Sequence, residues 1–153
     1  MTIESVPISE FPLFSKIDRE LNQNNSSLTE FQEWDPVKEN FKHIIDQRNL
    51  PVNRSVLQAV LLDQYALLPA IPGIEGQIRS IGNENTFTVT TAHQPCLFTG
   101  PAFVISKAIS AIKLARQLNA TLTNHHIVPV FVIGSEDHDV EELNHSFLFG
   151  QKI

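Results

Sequence analysis

Residues 86–133 read TFTVTTAHQPCLFTGPAFVISKAISAIKLARQLNATLTNHHIVPVFVI, and this stretch decides the fold. Its opening, 86–91, is rich in Thr, Val and Phe, the composition of a strand. The run 102–118 is mostly apolar, with Ser106, Ser110, Lys113 and Gln117 forming a narrow polar stripe at helical spacing. A helix buried over most of its surface is expected there. After a polar turn at 123–126, Val130-Phe-Val-Ile133 is a continuous apolar strand. Pro129 fits that strand only as its first residue or on an edge, since it has no N–H to give a ladder. Strand, helix, strand in this order is a βαβ unit, which implies parallel pairing and a right-handed crossover. The polar connection TTAHQPCLFTGP, residues 90–101, falls where α/β proteins hold ligands.

Upstream, residues 1–35 read as an irregular lead-in with Phe11, Leu13, Phe14 and Ile17 as apolar anchors, and 22–29 as a polar loop. Asp35-Pro36 is a helix start, with Asp35 as cap and Pro36 at the first helical position. Val37, Phe41, Ile44 and Ile45 follow on one face, and the helix ends before Pro51. A second helix is expected after Asn53, burying Leu57, Val60, Leu61, Tyr65 and Leu68, and stopping at Pro69. Pro72, Gly73, Gly76 and Gly82 mark turns. Downstream, a short helix is expected to reach about His145, and Phe147-Leu-Phe149 to begin another strand. The reading is therefore an α/β chain. Residues 1–85 form a lead-in and helices packing on the core, and 86–153 form the first part of a parallel-sheet domain that stays incomplete.

Composition narrows the function. The chain of 153 residues is 42% apolar, enough for a real core. Its longest apolar run, 127–133, is far short of the ~20 residues a bilayer crossing needs. The first residues, Met1-Thr-Ile-Glu-Ser, carry neither a basic region nor an apolar segment, so no signal peptide is expected. The single Cys96 allows no intrachain disulfide and fits a reducing compartment, so a cytoplasmic protein is expected. Of the formal charge of −6, most comes from Glu136, Asp137, Asp139, Glu141 and Glu142, leaving the remainder near neutral. No basic stripe exists to bind nucleic acid.

Two loops can carry chemistry. In the first, Pro101 fits the first helical position with Gly100 as cap, so N–H groups of Gly100, Ala102 and Phe103 and the helix dipole would favour a carboxylate or phosphate. Thr99 adds a hydroxyl, and His93 and Gln94 bring a titratable ring and an amide to the strand end. The plainer reading is a good helix start with a hydrogen-bonded histidine. In the second loop, Ser135-Glu-Asp-His-Asp139 follows the second strand, so both loops open on one edge of a parallel pair. Carboxylates also gather at helix N-termini for dipole reasons, with Asp139 capping and Glu142 at the capping-box position. That does not account for His138 and Asp137 beside them. The spacing of His138, Asp139, Glu142 and His145 matches no strong zinc signature, and no metal is expected. Cys96 reads as a small packing residue rather than a nucleophile, and Lys107 as snorkelling to solvent rather than reaching a ligand anion.

Taken together, TTAHQPCLFTGPAFVISKAISAI (90–112) and IVPVFVIGSEDHDVEELNHSF (127–147) resemble the bacillithiol biosynthesis cysteine-adding enzymes. The likeness rests on His-Gln-x-x-Leu-Phe-Thr-Gly-Pro, the Lys-Ala-Ile-Ser helix, and Ser-Glu-Asp-His-Asp-x-Glu-Glu-x-Asn-His. His93, Gln94, Thr99 and Gly100 match the first motif, and Glu136, Asp137, His138 and Asp139 the second. Ala92 stands where the family usually has Gly, Val132 where a large aromatic is common, and Cys96 is not a family fixture. The resemblance implies a Rossmann-like core in a longer protein that dimerises through a coiled coil. It also implies joining the carboxyl of L-cysteine to the amine of glucosaminyl malate. Amide formation from a carboxylate is uphill in water unless the carboxyl is activated, so ATP is the natural co-substrate, its phosphates suited to the first loop. His138 or Asp137 is the candidate base, with His93, Gln94, Thr99, Gly100, Glu136 and Asp139 binding substrate or nucleotide. Two rivals stand beside this: a nucleotidyltransferase-like enzyme transferring adenylyl groups to another substrate, and an inactive truncated module.

Overall fold

The computed structural model describes residues 6–7, 10–11, 13–22, 40–48, 51–97, 100–136 and 144–153. The chain divides into two compact units, Met1–Asn49 and Leu50–Ile153. The helices after Leu50 thus fall in the same unit as the βαβ stretch, whereas the sequence reading grouped 1–85 together.

In the first unit, helix α1 (Lys16–Asn22) forms where an irregular lead-in was expected. Its start is a capping box: Ser15 Oγ accepts from Asp18 N at 3.2 Å, and the Asp18 carboxylate accepts from Ser15 N at 3.0 Å. Phe11, Leu13, Phe14 and Ile17 are exposed rather than anchored. Helix α2 (Asn40–Gln47) contains Phe41, Ile44 and Ile45 of the expected stripe, while its expected start at Asp35, Pro36 and Val37 lies outside the described residues.

The second unit opens with α3 (Arg54–Ala66), which Asn53 caps by accepting from Val56 N at 3.2 Å. The helix is where the sequence placed it, but its burial is not: Leu57, Val60, Tyr65 and Leu68 are exposed, and no residue of α3 is buried. The expected turn region contains a further helix, α4 (Ile74–Ser80). Gly73 enters it at φ 83°, a conformation glycine adopts without strain. The apolar spacing Ile74, Ile78, Ile81 outweighs the helix cost of Gly76, because Ile78 and Ile81 are buried.

Strands β1 (Thr86–His93) and β2 (His126–Ile133) pair in parallel, with Thr86 opposite His126 and His93 opposite Ile133. Helix α5 (Ala102–Thr121) connects them and packs on both. The Rossmann-like βαβ unit is therefore present. Ala111, Ala115 and Leu118, at i, i+4 and i+7, are buried on one face, together with Ile127. Val128, which the pleat turns to the other face, is buried and lines a cleft with Ile78 and Ile81. The expectation that α5 is buried over most of its surface fails, since Phe103, Ile105, Ile109 and Ile112 are exposed. Only one stripe of a helix can face a two-stranded sheet, whatever the rest of its composition.

The outer edge of β2 is closed at its lower end by side-chain chemistry. Asn119 donates to Ile127 O and accepts from Ile127 N, both at 2.8 Å, so the backbone of Ile127 faces away from β1. By alternation Pro129 faces outward as well. β2 has no second strand neighbour among the described residues, so Pro129 sits on an edge, three residues inside the strand rather than at its start. At the other end of the unit, β3 (Phe147–Leu148) and β4 (Gln151–Lys152) form an antiparallel hairpin that is its own small sheet. Its two-residue loop, Phe149 and Gly150, has φ of 50° and 80°, the paired positive values that a type I′ turn requires. The expected strand start at Phe147 is thus present as one arm of a local hairpin, because the turn at Phe149 and Gly150 reverses the chain after two residues. His145 lies outside any helix, and residues 137–143 of the expected short helix lie outside the described residues.

Candidate active site

The two strands end level, and the chain leaves both at one edge of the sheet. Gly134 N donates to His93 O at 3.0 Å, tying the start of the second loop to the end of β1. Ser135 N then turns back onto Ile133 O at 2.9 Å, which brings Ser135 and the exposed Glu136 beside that edge. Sequence reasoning expected both loops to open on one edge, and the Gly134 N to His93 O bond brings the start of the second to the end of β1. Thr99, Asp137, His138 and Asp139 lie outside the described residues.

His93, the last residue of β1, is half-buried, and its ring packs on Phe103 at 5.1 Å between centroids with a 54° tilt. Its Nδ1 lies 2.9 Å from Gln94 O. A carbonyl only accepts, so in this arrangement Nδ1 carries the hydrogen. Gln94 brings its backbone oxygen to that contact, and its residue also lines an apolar cavity.

Gly100 has φ 64°, and its N–H donates to Leu97 O at 2.8 Å. That donor is occupied within the loop, which removes it from the set expected to face an anion. The cap also moves by one residue. Pro101 is the N-cap, extended at φ −68° and ψ 154°, and the helix begins at Ala102. The left-handed turn at Gly100 sets this frame, since a residue at positive φ precedes the helix rather than belonging to its first turn. Ala102 and Phe103 thereby become the first two helical positions, and among the described residues no backbone carbonyl is recorded accepting their N–H groups. Gly100 is also a close approach: a Cβ there would stand 2.5 Å from Cys96 Sγ and 2.9 Å from Cys96 Cβ. Cys96 is a half-buried free thiol filling this space, in keeping with a packing role.

Sequence reasoning gave Lys107 to solvent. Lys107 is indeed exposed, and its Nζ at the same time donates to Ala92 O at 3.3 Å and lies 5.4 Å from the Phe103 ring centroid. The signal was spacing: Phe103 and Lys107, at i and i+4 in the first turns of α5, share the face that looks at the end of β1. Lys107 has no carboxylate partner among the described residues. Below the loop, a cavity of about 400 Å³ is lined by Gln94, Cys96, Val104, Ala108, Phe131 and Ile133. It is mostly apolar, as ligand pockets commonly are. No cluster of three potential metal ligands occurs among the described residues. His145 pairs instead with its neighbour Asn144 at 3.1 Å and stacks edge-on against Phe147 at 5.5 Å. No helix among the described residues is long and apolar enough to cross a membrane.

A parallel βαβ unit with polar loops gathered at the carboxyl ends of its strands defines a Rossmann-like α/β domain. Comparison with known families agrees: residues 1–153 match the family described as "Bacillithiol biosynthesis BshC, N-terminal Rossmann-like domain". The chain belongs to this family. A protein of Cytophaga hutchinsonii named "Putative cysteine ligase BshC" is 34% identical over 152 residues, covering 99% of this chain and 29% of the relative. Proteins of the same name from Flavobacterium psychrophilum and Bacillus cereus are 32% identical over 157 residues and 38% over 107. They cover 100% and 70% of this chain, and 30% and 20% of their own lengths. The chain thus spans at most about three tenths of these curated relatives.

Proposed function

We propose that this chain forms part of a cysteine ligase of bacillithiol biosynthesis, which joins the carboxyl of L-cysteine to the amine of glucosaminyl malate. The observation that carries the reading is the Gly134 N to His93 O hydrogen bond, which holds the two family-like loops at one sheet edge. The names of the relatives support the ligase class, and the family match does not favour the adenylyl-transferring alternative.

In this reading the carboxyl is activated at the expense of ATP, whose phosphates meet the N–H groups of Ala102 and Phe103, with Lys107 beside them and Thr99 as a further binding residue. The acidic loop, with Glu136, Asp137 and Asp139, holds an ammonium group, and His138 or Asp137 joins the proton transfers. No metal is assigned. The working protein is a cytoplasmic homodimer of the length of the relatives. The test is product formation by the longer protein that contains this chain, and by the chain alone. Cysteine-dependent and ATP-dependent formation of an amide with glucosaminyl malate by the longer protein is expected. Amide formation with other amino acids in preference to cysteine would overturn the reading, and activity of the short chain alone would overturn the need for the remainder.

A further inference from the structure

The sheet edge carries a titratable group of its own, and the geometry singles it out. Imidazole has two nitrogens, and His93 has one of them committed. Nδ1 faces Gln94 O at 2.9 Å, so the neutral ring carries its hydrogen there, and Nε2 holds a lone pair. Among the described residues Nε2 has no hydrogen-bond partner. The ring is held in place from the side by Phe103, 5.1 Å away. It stands at the end of β1, where its own carbonyl is bonded to Gly134 N. A carbonyl that fixes one tautomer, a ring neighbour that fixes the plane, and a bare second nitrogen at a ligand-bearing edge are the parts of a positioned proton acceptor.

Resting on the ligase reading, we propose that His93 is the general base that deprotonates the attacking amine, through Nε2. The acidic loop is then left to hold the ammonium of cysteine. The amine of glucosaminyl malate arrives neutral, having lost its first proton to water. Its nitrogen lone pair attacks the carbonyl carbon of a cysteinyl group activated as a mixed anhydride with phosphate, a nucleoside triphosphate being the source of that phosphate. As the C–N bond forms, the nitrogen's surplus proton passes to Nε2. The C–O bond to phosphate breaks, its electron pair leaving with the phosphate oxygen. The imidazolium keeps its Nδ1–H on Gln94 O and returns the Nε2 proton to water.

Two measurements test this. Long-range ¹H–¹⁵N spectra of the 153-residue chain should show the neutral His93 ring protonated at Nδ1 and bare at Nε2; the opposite tautomer overturns the proposal whatever the protein catalyses. In the longer protein, His93→Asn keeps an amide able to donate to Gln94 O and removes Nε2. The kcat for cysteinyl amide should fall by roughly 10²- to 10⁴-fold, the usual worth of a general base. Added imidazole should restore part of the lost rate. A wild-type protein that makes no cysteinyl amide sinks the ligase reading and the base role with it. Wild-type product formation with an unimpaired His93→Asn variant sinks the base role alone.

Discussion

Replacing Gly100 by alanine tests whether the first loop is built as a close approach. Two separate costs follow from the structure. At φ 64° an alanine pays the left-handed penalty of about 1–2 kcal/mol that glycine avoids. The new methyl would also stand 2.5 Å from Cys96 Sγ and 2.9 Å from its Cβ, well inside contact distance, so the loop must shift. Overpacking of that kind costs about 1–3 kcal/mol. Together the expected loss is about 2–5 kcal/mol, or roughly 4–20 °C in thermal midpoint for a chain of this size. The two costs can be told apart by a double-mutant cycle followed by far-UV circular dichroism in urea. Cys96→Ala removes Sγ and leaves Cβ, so it should relieve part of the packing cost and none of the backbone cost. A favourable coupling of about 1–2 kcal/mol between Gly100→Ala and Cys96→Ala is expected. A Gly100→Ala chain that unfolds within about 1 °C of the parent would refute the backbone argument, since the left-handed penalty alone predicts more. Additive losses would refute the packing argument.

Asn119→Ala removes two 2.8 Å bonds and leaves the N–H and C=O of Ile127 unpaired, so a loss of about 2–4 kcal/mol in urea unfolding is expected; a loss under about 1 kcal/mol would show that the edge does not need its side-chain clasp. Thr86 is 2% exposed and its Oγ1 finds no partner among the described residues, so Thr86→Val should be neutral or stabilising by up to about 1 kcal/mol, and marked destabilisation in the same assay would reveal a hydrogen bond that the hydroxyl does make. Lys107→Gln, tested in the longer protein, should raise the KM of the substrate whose anion it meets by about tenfold or more, with kcat little changed; unchanged KM values for ATP, cysteine and glucosaminyl malate would return Lys107 to a purely local role on Ala92 O.

How much of this was legible in the sequence depends on which physical signal each element carries. The βαβ unit was readable because its strands and helix differ in period and composition, and Asn53 as a cap because its chemistry is local. α4 was missed because Gly73 and Gly76 read as turns, although Gly73 is the entry to a helix rather than a break in the chain. α1 was missed for the opposite reason: Ser15 and Asp18 spell a capping box, but the helix is only 7 residues long and its apolar neighbours stay exposed, so no periodic stripe announces it. Burial was the least legible property. Leu57, Val60, Ile105 and Ile109 have core composition and remain open in this chain, since composition says what a residue prefers and not what stands opposite it. At the site, the convergence of the loops followed from parallel pairing. The bond of Lys107 to Ala92 O, the tautomer of His93 and the occupied N–H of Gly100 depend on rotamers and on a left-handed residue, which spacing does not encode.

The register that joins the two loops is the same register that buries the core, and this ties the site to stability. His126 N bonds to Asn85 O at one end of the pair, and Gly134 N bonds to His93 O at the other, while Asn119 holds Ile127 from outside. A slip of one residue would send Ile127 to the face now occupied by Val128, and both are at least 96% buried where they are. The core therefore fixes which residue of the second loop meets the end of β1. A variant that loosens the lower edge, such as Asn119→Ala, acts on the site only through this shared register, about seven residues of strand away. It should lower activity in proportion to the fraction unfolded and leave the His93 tautomer intact, whereas a change at Gly100 acts on the loop itself and should alter the site even where the chain remains folded.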